Sequence, residues 1–287
     1  MKALPLSTKP CLDRLKLPGT LWFAADMHLS ADNPKTRADF LGFLEHARQH
    51  ANALLLLGDI FDVWVGDDVI ERPAPWLSEI LGALAYTAIH CPLFIARGNR
   101  DFLMGHRLAD TLGATLLPEQ THLQTDWGDV LASHGDEYCT DDLAYQRFKH
   151  WVRKPWLQSL FLGLGLGLRN GIARHARKRS QANQQAHNTP NGITDVNQIA
   201  VEQVLQRHNS QFIIHGHTHR PACHAMSHVR AGAQRWVLTD WDGDDDYHPR
   251  GGWLSLSRLG IREYSLYPNR RDATLFNPQH RKPQNTV

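Results

Sequence analysis

Cysteine is scarce in this chain. Four residues, Cys11, Cys91, Cys139 and Cys223, lie far apart among 287, with no C-x-x-C pair. That spacing argues against a thiolate metal site and fits a reducing cytoplasm. Long apolar runs are missing as well. No segment reaches the ~20 apolar residues of a membrane-spanning helix. The opening MKALPLSTKPCLDRLKLPGT holds no apolar core of signal-peptide length, because prolines and charges interrupt it. A strong charge imbalance is also absent. With 31 Lys and Arg against 29 Asp and Glu the net charge is +2, so the overall balance names no partner. At 42% hydrophobic and 21% charged, the chain can bury a sizeable core as a soluble globular protein. Its length suits one large domain, or a domain with an insertion.

Histidine, by contrast, is plentiful, with 18 residues. The stretch QFIIHGHTHR, Gln211 to Arg220, begins as an apolar, β-favouring run and then sets His215, His217 and His219 at alternate positions. In extended chain, residues two apart project to the same side. In a His-rich chain this row alone fits a polar loop as well as a metal site. Four other apolar runs end in the same manner. LWFAADMH closes on Asp26 and His28, ALLLLGD on Asp59, PLFIARGNRD on Asn99, Arg100 and Asp101, and DVLASHGD on His134 and Asp136. Helical patterns such as Arg37–His50 and Ala74–His90 lie between several of them. Alternating strands and helices predict an α/β sheet, whose functional crevice lies at the carboxyl ends of its strands.

One polar residue after a core strand is merely where the chain meets water. Five strand ends carrying carboxylate, imidazole and one carboxamide are a ligand inventory. Mixed nitrogen and oxygen donors suit Mn²⁺, Fe, Co or Zn. Seven donors (Asp26, His28, Asp59, Asn99, His134, His217 and His219) exceed what one ion takes, and fit two ions sharing a carboxylate. Paired ions are the usual apparatus for displacement at phosphorus, because they clamp phosphoryl oxygens and lower the pKa of a shared water. Gly58, Gly98, Gly135 and Gly216 beside these residues would let the backbone turn and approach the ions.

In order, the motifs D-x-H, G-D, G-N-R-D, H-G-D and G-H-T-H resemble those of the calcineurin-like metallophosphoesterases, from about Leu21 to Pro268. The resemblance implies a two-sheet β-sandwich of mixed sheets flanked by helices. Longer stretches, among them GDIFDVWVGDD, GNRDFLMGHRLAD, HGDEYCTDDLAYQ, KPWLQSLFL, DVNQ and IHGHTHRPA, are similar to the UDP-2,3-diacylglucosamine hydrolases of lipid A biosynthesis in Gram-negative bacteria. This implies cleavage of that lipid's diphosphate to UMP and 2,3-diacylglucosamine 1-phosphate (lipid X), with two divalent ions, Mn²⁺ being usual. It implies further that Asp26, His28 and His219 hold one ion and that Asn99, His134 and His217 hold the other, with Asp59 bridging. Arg100 would meet phosphate oxygens bidentately. Asp101, Asp136 and His215 would orient ligands or serve structure. Catalysis is thereby expected of Asp59, Asn99, Arg100 and His134.

Between the fourth and fifth motifs lies a long stretch without acid. From Leu143 to Thr194 there is no Asp or Glu, while nine Lys or Arg fall between Arg147 and Arg179, around WLQSLFLGLGLGL. Basic tracts beside Trp, Phe and Leu suit a segment lying in a membrane interface, although a solvated helical hairpin shares that composition. In the family this insertion is a helical lid, which places it at about 143–195. By the same resemblance Asn99, Arg100, Asp142, Tyr145, Arg177, Ser180 and His217 line the substrate cleft. The family's Ser/Lys-rich run is replaced by SQANQQAHNTPNGITDVNQ, so Asn183 or Gln184 would take the place of its Asn and His187 that of its Lys. The expectation is a monomer in the cytoplasm, peripheral on the inner membrane, that binds no nucleic acid. Residues 1–20 and 269–287 read as polar extensions. DGDDD lacks the ligand spacing of a calcium loop and reads as an acidic loop. Two other readings are a phosphodiesterase using the basic insert as a nucleic-acid groove, and a non-catalytic scaffold. The first would call for aromatic stacking residues throughout the insert, and the second for lost ligands.

Overall fold

The computed structural model describes residues 14–186 and 195–268, with side chains described except over 178–186. Two six-stranded sheets form its centre. One has the order β12 (Gly260–Ser265), β11 (Gly252–Ser257), β2 (Leu21–Ala24), β3 (Ala53–Leu57), β4 (Leu93–Ala96), β5 (Thr115–Leu116). The other has the order β1 (Leu15–Lys16), β6 (Gln120–Thr125), β7 (Gly128–Ser133), β8 (Phe212–His215), β10 (Gln234–Val237), β9 (Ala222–Ala225). β2, β3, β4 and β5 run parallel, and so do β7, β8 and β10, while β11 on β2, β12 on β11, β6 on β7 and β9 on β10 pair antiparallel.

The continuous apolar runs reflect burial on both strand faces. In β2 and β3, Leu21, Phe23, Ala53, Leu55 and Leu57 point between the sheets, meeting Leu123, Val130, Ala132 and Ile214. Their neighbours Trp22, Ala24, Leu54 and Leu56 point outward, against Phe40, Phe43 and Leu44 of α1 (Pro34–His50) and Leu77, Ile80 and Leu84 of α2 (Pro75–His90). Cutting one such leucine to Ala would cost about 2–5 kcal/mol. On the far side, Leu131 and Ile213 pack on Val201, Val204 and Leu205 of α7 (Gln198–Arg207). α3 (His106–Leu112) covers the end of the first sheet's helical layer. The result is the two-sheet sandwich flanked by helices that the motifs imply.

The insertion folds as α4 (Leu143–Val152), α5 (Pro155–Leu162) and α6 (Leu166–Ala186). Asp142 is the N-cap of α4, accepting the Tyr145 N–H at 2.9 Å. Ser180, Asn183 and Gln184 fall within α6, but their side chains, like all of His187, lie outside the described residues. The sandwich also begins earlier than the polar opening suggests. Leu15 and Lys16 pair in parallel with Leu123 and Gln124, and Leu17 is buried. Two residues are too few for a period-two pattern to reveal a strand.

Candidate metal centre

The five strand ends meet, but at the edges of two facing sheets and not along one. β2, β3 and β4 deliver Asp26, Asp59 and Asn99 from the first sheet, and β7 and β8 deliver His134 and His217 from the second. Asp26 Oδ2 accepts the backbone N–H of His217 at 2.7 Å, and His134 Nδ1 lies 2.9 Å from Leu57 O, so hydrogen bonds sew the sheets together at this edge. Close approach explains two glycines. A Cβ on Gly98 would lie 2.0 Å from Asp59 Oδ1, and one on Gly216 would lie 2.3 Å from Asp26 Oδ2.

The backbone is strained where the donors sit. Among the described residues six non-glycine residues have positive φ, and five of them are Asp26 (60°), His28 (49°), Asp59 (50°), His217 (69°) and His219 (54°). The left-handed region costs such residues about 1–2 kcal/mol each. Strain kept at consecutive strand ends marks a site whose geometry the surrounding fold enforces.

The donors form two groups. Asp26, His28 and His219 lie together, with His28 Nε2 3.2 Å from His219 Nε2 and His219 Nε2 3.6 Å from Asp26 Oδ1. In the second group Asn99 Oδ1 lies 3.0 Å from His134 Nε2 and 2.9 Å from His217 Nδ1. Asp59 stands between the groups. Its Oδ2 is 3.8 Å from His28 Nδ1 and its Oδ1 is 3.7 Å from His134 Nε2. Asp26 also comes within reach of Asp59 and His134. All seven residues from the sequence are therefore brought together.

Charge and hydrogen bonding set the donors' protonation. Burial and neighbouring His134 push His217 down to about 3, leaving a neutral ring. Burial and Arg100 hold His28 well below the usual histidine range. Burial opposes charge on His219 too, but the neighbouring carboxylates of Asp240 and Asp26 push it up to about 10. A carboxylate behind a ligating imidazole fixes the ring and raises its basicity, and Asp240 lies 3.3 Å from His219 Nδ1. Sequence reasoning passed over Asp240. It ends the apolar WVL run as Asp26 and Asp59 end theirs, and that signal could have found it.

The other motif residues support these. Asp101, fully buried, accepts backbone N–H groups from Gly98 at 2.7 Å, Ile60 at 2.8 Å, Asp59 at 3.3 Å and Phe61 at 3.4 Å. It thereby fixes the turn that presents Asp59. Asp136 is gripped by one face of α4, with Tyr145 Oη donating at 2.5 Å, Lys149 Nζ at 3.0 Å and Arg153 NH2 at 3.5 Å. Burial would raise its pKa, but Lys149 and Arg153 outweigh burial and hold it well below the carboxylate range. His215 is fully buried, its Nδ1 2.8 Å from Gly216 O and its Nε2 3.4 Å from Arg235 NH1, away from the donor groups. Tyr145 stacks on His217 with ring centroids 6.2 Å apart. Arg100 and Arg177 converge beside the site on Asp62.

In the first donor group, two buried polar atoms, Asp26 Oδ1 and His28 Nδ1, find no hydrogen-bond partner among the described residues. Such orphans are rare in folded proteins, and facing imidazole nitrogens beside two carboxylates are what cations would satisfy. Comparison with known proteins agrees. A profile of the family described as Calcineurin-like phosphoesterase matches residues 19–221. The chain belongs to that family. Three proteins similar to the chain over most of their own length carry one name. A UDP-2,3-diacylglucosamine hydrolase of Bordetella parapertussis is 48% identical, covering 89% of this chain and 98% of that protein. Proteins of the same name from Serratia proteamaculans (44% identical, 82% and 94% covered) and Escherichia coli (44%, 76% and 90%) match similarly. The family works with divalent metals, and this phosphoesterase has the donors to hold them.

Proposed function

We propose that this phosphoesterase hydrolyses the diphosphate bond of UDP-2,3-diacylglucosamine, releasing UMP and lipid X. The observation that carries the reading is full-length likeness to hydrolases of that name, with every donor of the metal motifs retained. Asp26, His28 and His219 would hold one divalent ion, Asn99, His134 and His217 the other, and Asp59 would bridge them. Mn²⁺ fits this set of nitrogen and oxygen donors. When bound, such a pair supplies a water acidic enough to form hydroxide at neutral pH, and a clamp for phosphoryl oxygens.

The chain's own part is to orient. With Leu57 O accepting from His134 Nδ1, the His134 Nε2 lone pair would be left for an ion. Asp240 does the same for His219. Arg100 and Arg177 offer forked N–H donors to the two phosphates, with Asn99, His217, Asp142, Tyr145, Ser180, Asn183 or Gln184, and His187 as further candidates around the nucleotide and sugar. The segment 143–195 would act as the lid over the acyl chains.

Exposed Phe148, Trp151, Trp156, Leu160, Leu162 and Leu168, beside Arg147, Lys154 and Arg174, support peripheral contact with the cytoplasmic face of the inner membrane. Among the described residues no helix is long and apolar enough to cross it. A monomer and a cytoplasmic location remain part of this reading. The test is incubation of the purified protein with UDP-2,3-diacylglucosamine and Mn²⁺, followed by identification of products. Equimolar UMP and lipid X are expected. An intact lipid, or cleavage elsewhere in it, would overturn the assignment.

A further inference from the structure

Asp62 lies three residues beyond Asp59, in the loop after β3, and the chemistry above gives it no role. Its place is firmly set. Its N–H donates to Leu29 O at 3.1 Å, and Phe61 before it bridges to Leu29, so the loop is tied to the segment carrying His28. Two arginines from distant parts of the chain meet on its carboxylate. Arg100 NH1 donates to Asp62 Oδ1 at 2.8 Å, and Arg177 NH1 donates to the same oxygen. Arg177 NH1 also donates to the Asp62 backbone carbonyl at 3.2 Å. Arg100 follows β4 in the core, whereas Arg177 belongs to α6 of the insertion.

Two guanidiniums side by side repel each other. A carboxylate oxygen shared between them offsets that repulsion and fixes their spacing. Asp62 occupies one terminal nitrogen of each, and a guanidinium has five N–H donors, so both keep donors for an incoming anion. The side chains of Arg100, Arg177 and Asp62 are 29%, 31% and 19% exposed, so the trio is reached from solvent but not dissolved in it.

We infer that Asp62 is a positioning residue for diphosphate recognition. It holds Arg100 and Arg177 at the separation in which each meets one phosphate, and through Arg177 it docks α6 on the metal centre. The inference rests on the proposed hydrolysis of a nucleoside diphosphate lipid. The opposite role for the same carboxylate, a phosphate mimic that competes for the arginines, predicts the opposite sign when it is removed.

The experiment compares wild type, Asp62→Asn, Asp62→Glu, Arg177→Ala and the Asp62→Asn/Arg177→Ala double variant. Steady-state kinetics are measured on UDP-2,3-diacylglucosamine with Mn²⁺, after unfolding temperature and bound metal are measured for each. Losing a charge-assisted contact should raise KM about tenfold or more in Asp62→Asn, with kcat falling less and Asp62→Glu recovering part of the loss. In the Arg177→Ala background Asp62→Asn should add less than about threefold, because residues acting through one another are not additive. A lower KM in Asp62→Asn, additive losses in the double variant, or loss of metal from Asp62→Asn would each overturn the inference. Wild-type kinetics in Arg177→Ala would instead remove the proposed arginine–diphosphate contact, and the role of Asp62 with it.

Discussion

Arg169 and Asp68 should respond unequally to the cutting of the ion pair they share. Arg169, near the start of α6, is 1% exposed. Its NH1 donates to Val65 O at 2.7 Å and to Asp68 Oδ1 at 2.9 Å, and its NH2 donates to Asp68 Oδ2. The Asp68 side chain remains 38% exposed. Asp68→Ala therefore strands a buried guanidinium, a change that costs about 3–5 kcal/mol. Arg169→Met leaves a carboxylate that water can reach, so the loss is confined to the Val65 carbonyl's bond and some packing, about 1–3 kcal/mol. The pair ties α6 to the loop after β3, so the cost should appear as local opening of the helix. Amide exchange over 166–177 should then rise roughly 100-fold or more in Asp68→Ala and roughly tenfold in Arg169→Met. Hydrogen exchange read by mass spectrometry, with β3 as internal control, measures both. Equal rises, or a larger rise in Arg169→Met, would refute the reasoning, since packing would then outweigh the stranded charge.

Other outcomes follow from the same geometry. Chelation should abolish activity and Mn²⁺ should restore it, and Asp59→Ala should cost more turnover than Ala at any one of His28, Asn99 or His219, because its two oxygens face both donor groups. Glu263 is half-buried opposite Leu254 on the neighbouring strand, and burial pushes its pKa up to about 7. A carboxyl with a raised folded pKa stabilises the fold below its unfolded pKa, and this is lost as pH rises through the folded one. Glu263→Gln should thus be nearly neutral at pH ~4 and stabilising by about 1–3 kcal/mol at pH ~8. Urea unfolding at both pH values checks this. If Leu162, Leu164 and Leu166 cover acyl chains, cutting all three to Ala should lower kcat/KM on the lipid and spare a small acyl-free phosphodiester. Equal losses on both would make the segment a support for the core. Labelled oxygen from water should appear in UMP if attack falls on the phosphorus next to uridine, and label in lipid X would reverse that.

The donors were legible because each announces itself locally: an apolar run, a ligand-type residue, and often a glycine where the backbone must approach a carboxylate. What was hidden depends on residues far apart in sequence. Arg169 reads as one of nine solvated cations, and only its meeting with Asp68, 101 residues away, makes it one of the largest fully buried side chains among the described residues. Lys149 and Arg153 read as a basic face, but they fasten α4 to Asp136 and to Glu119. The expected single edge became two because periodicity tells which residues face a core, not which sheet a strand joins. The composition that marked segment 143–194 as interfacial was therefore only half informative, since some of its cations hold it to the protein.

The left-handed backbone at Asp26, His28, Asp59, His217 and His219 has an evolutionary consequence. Glycine or asparagine would occupy these conformations at less cost, so selection for stability alone would erode these residues towards them. Asp59→Gly or His219→Asn should yield a dead but sturdier protein, in the usual exchange of stability against activity. Five unrelaxed positions in one chain then amount to a record of use. A lineage that had abandoned hydrolysis would have had every thermodynamic incentive to let them go.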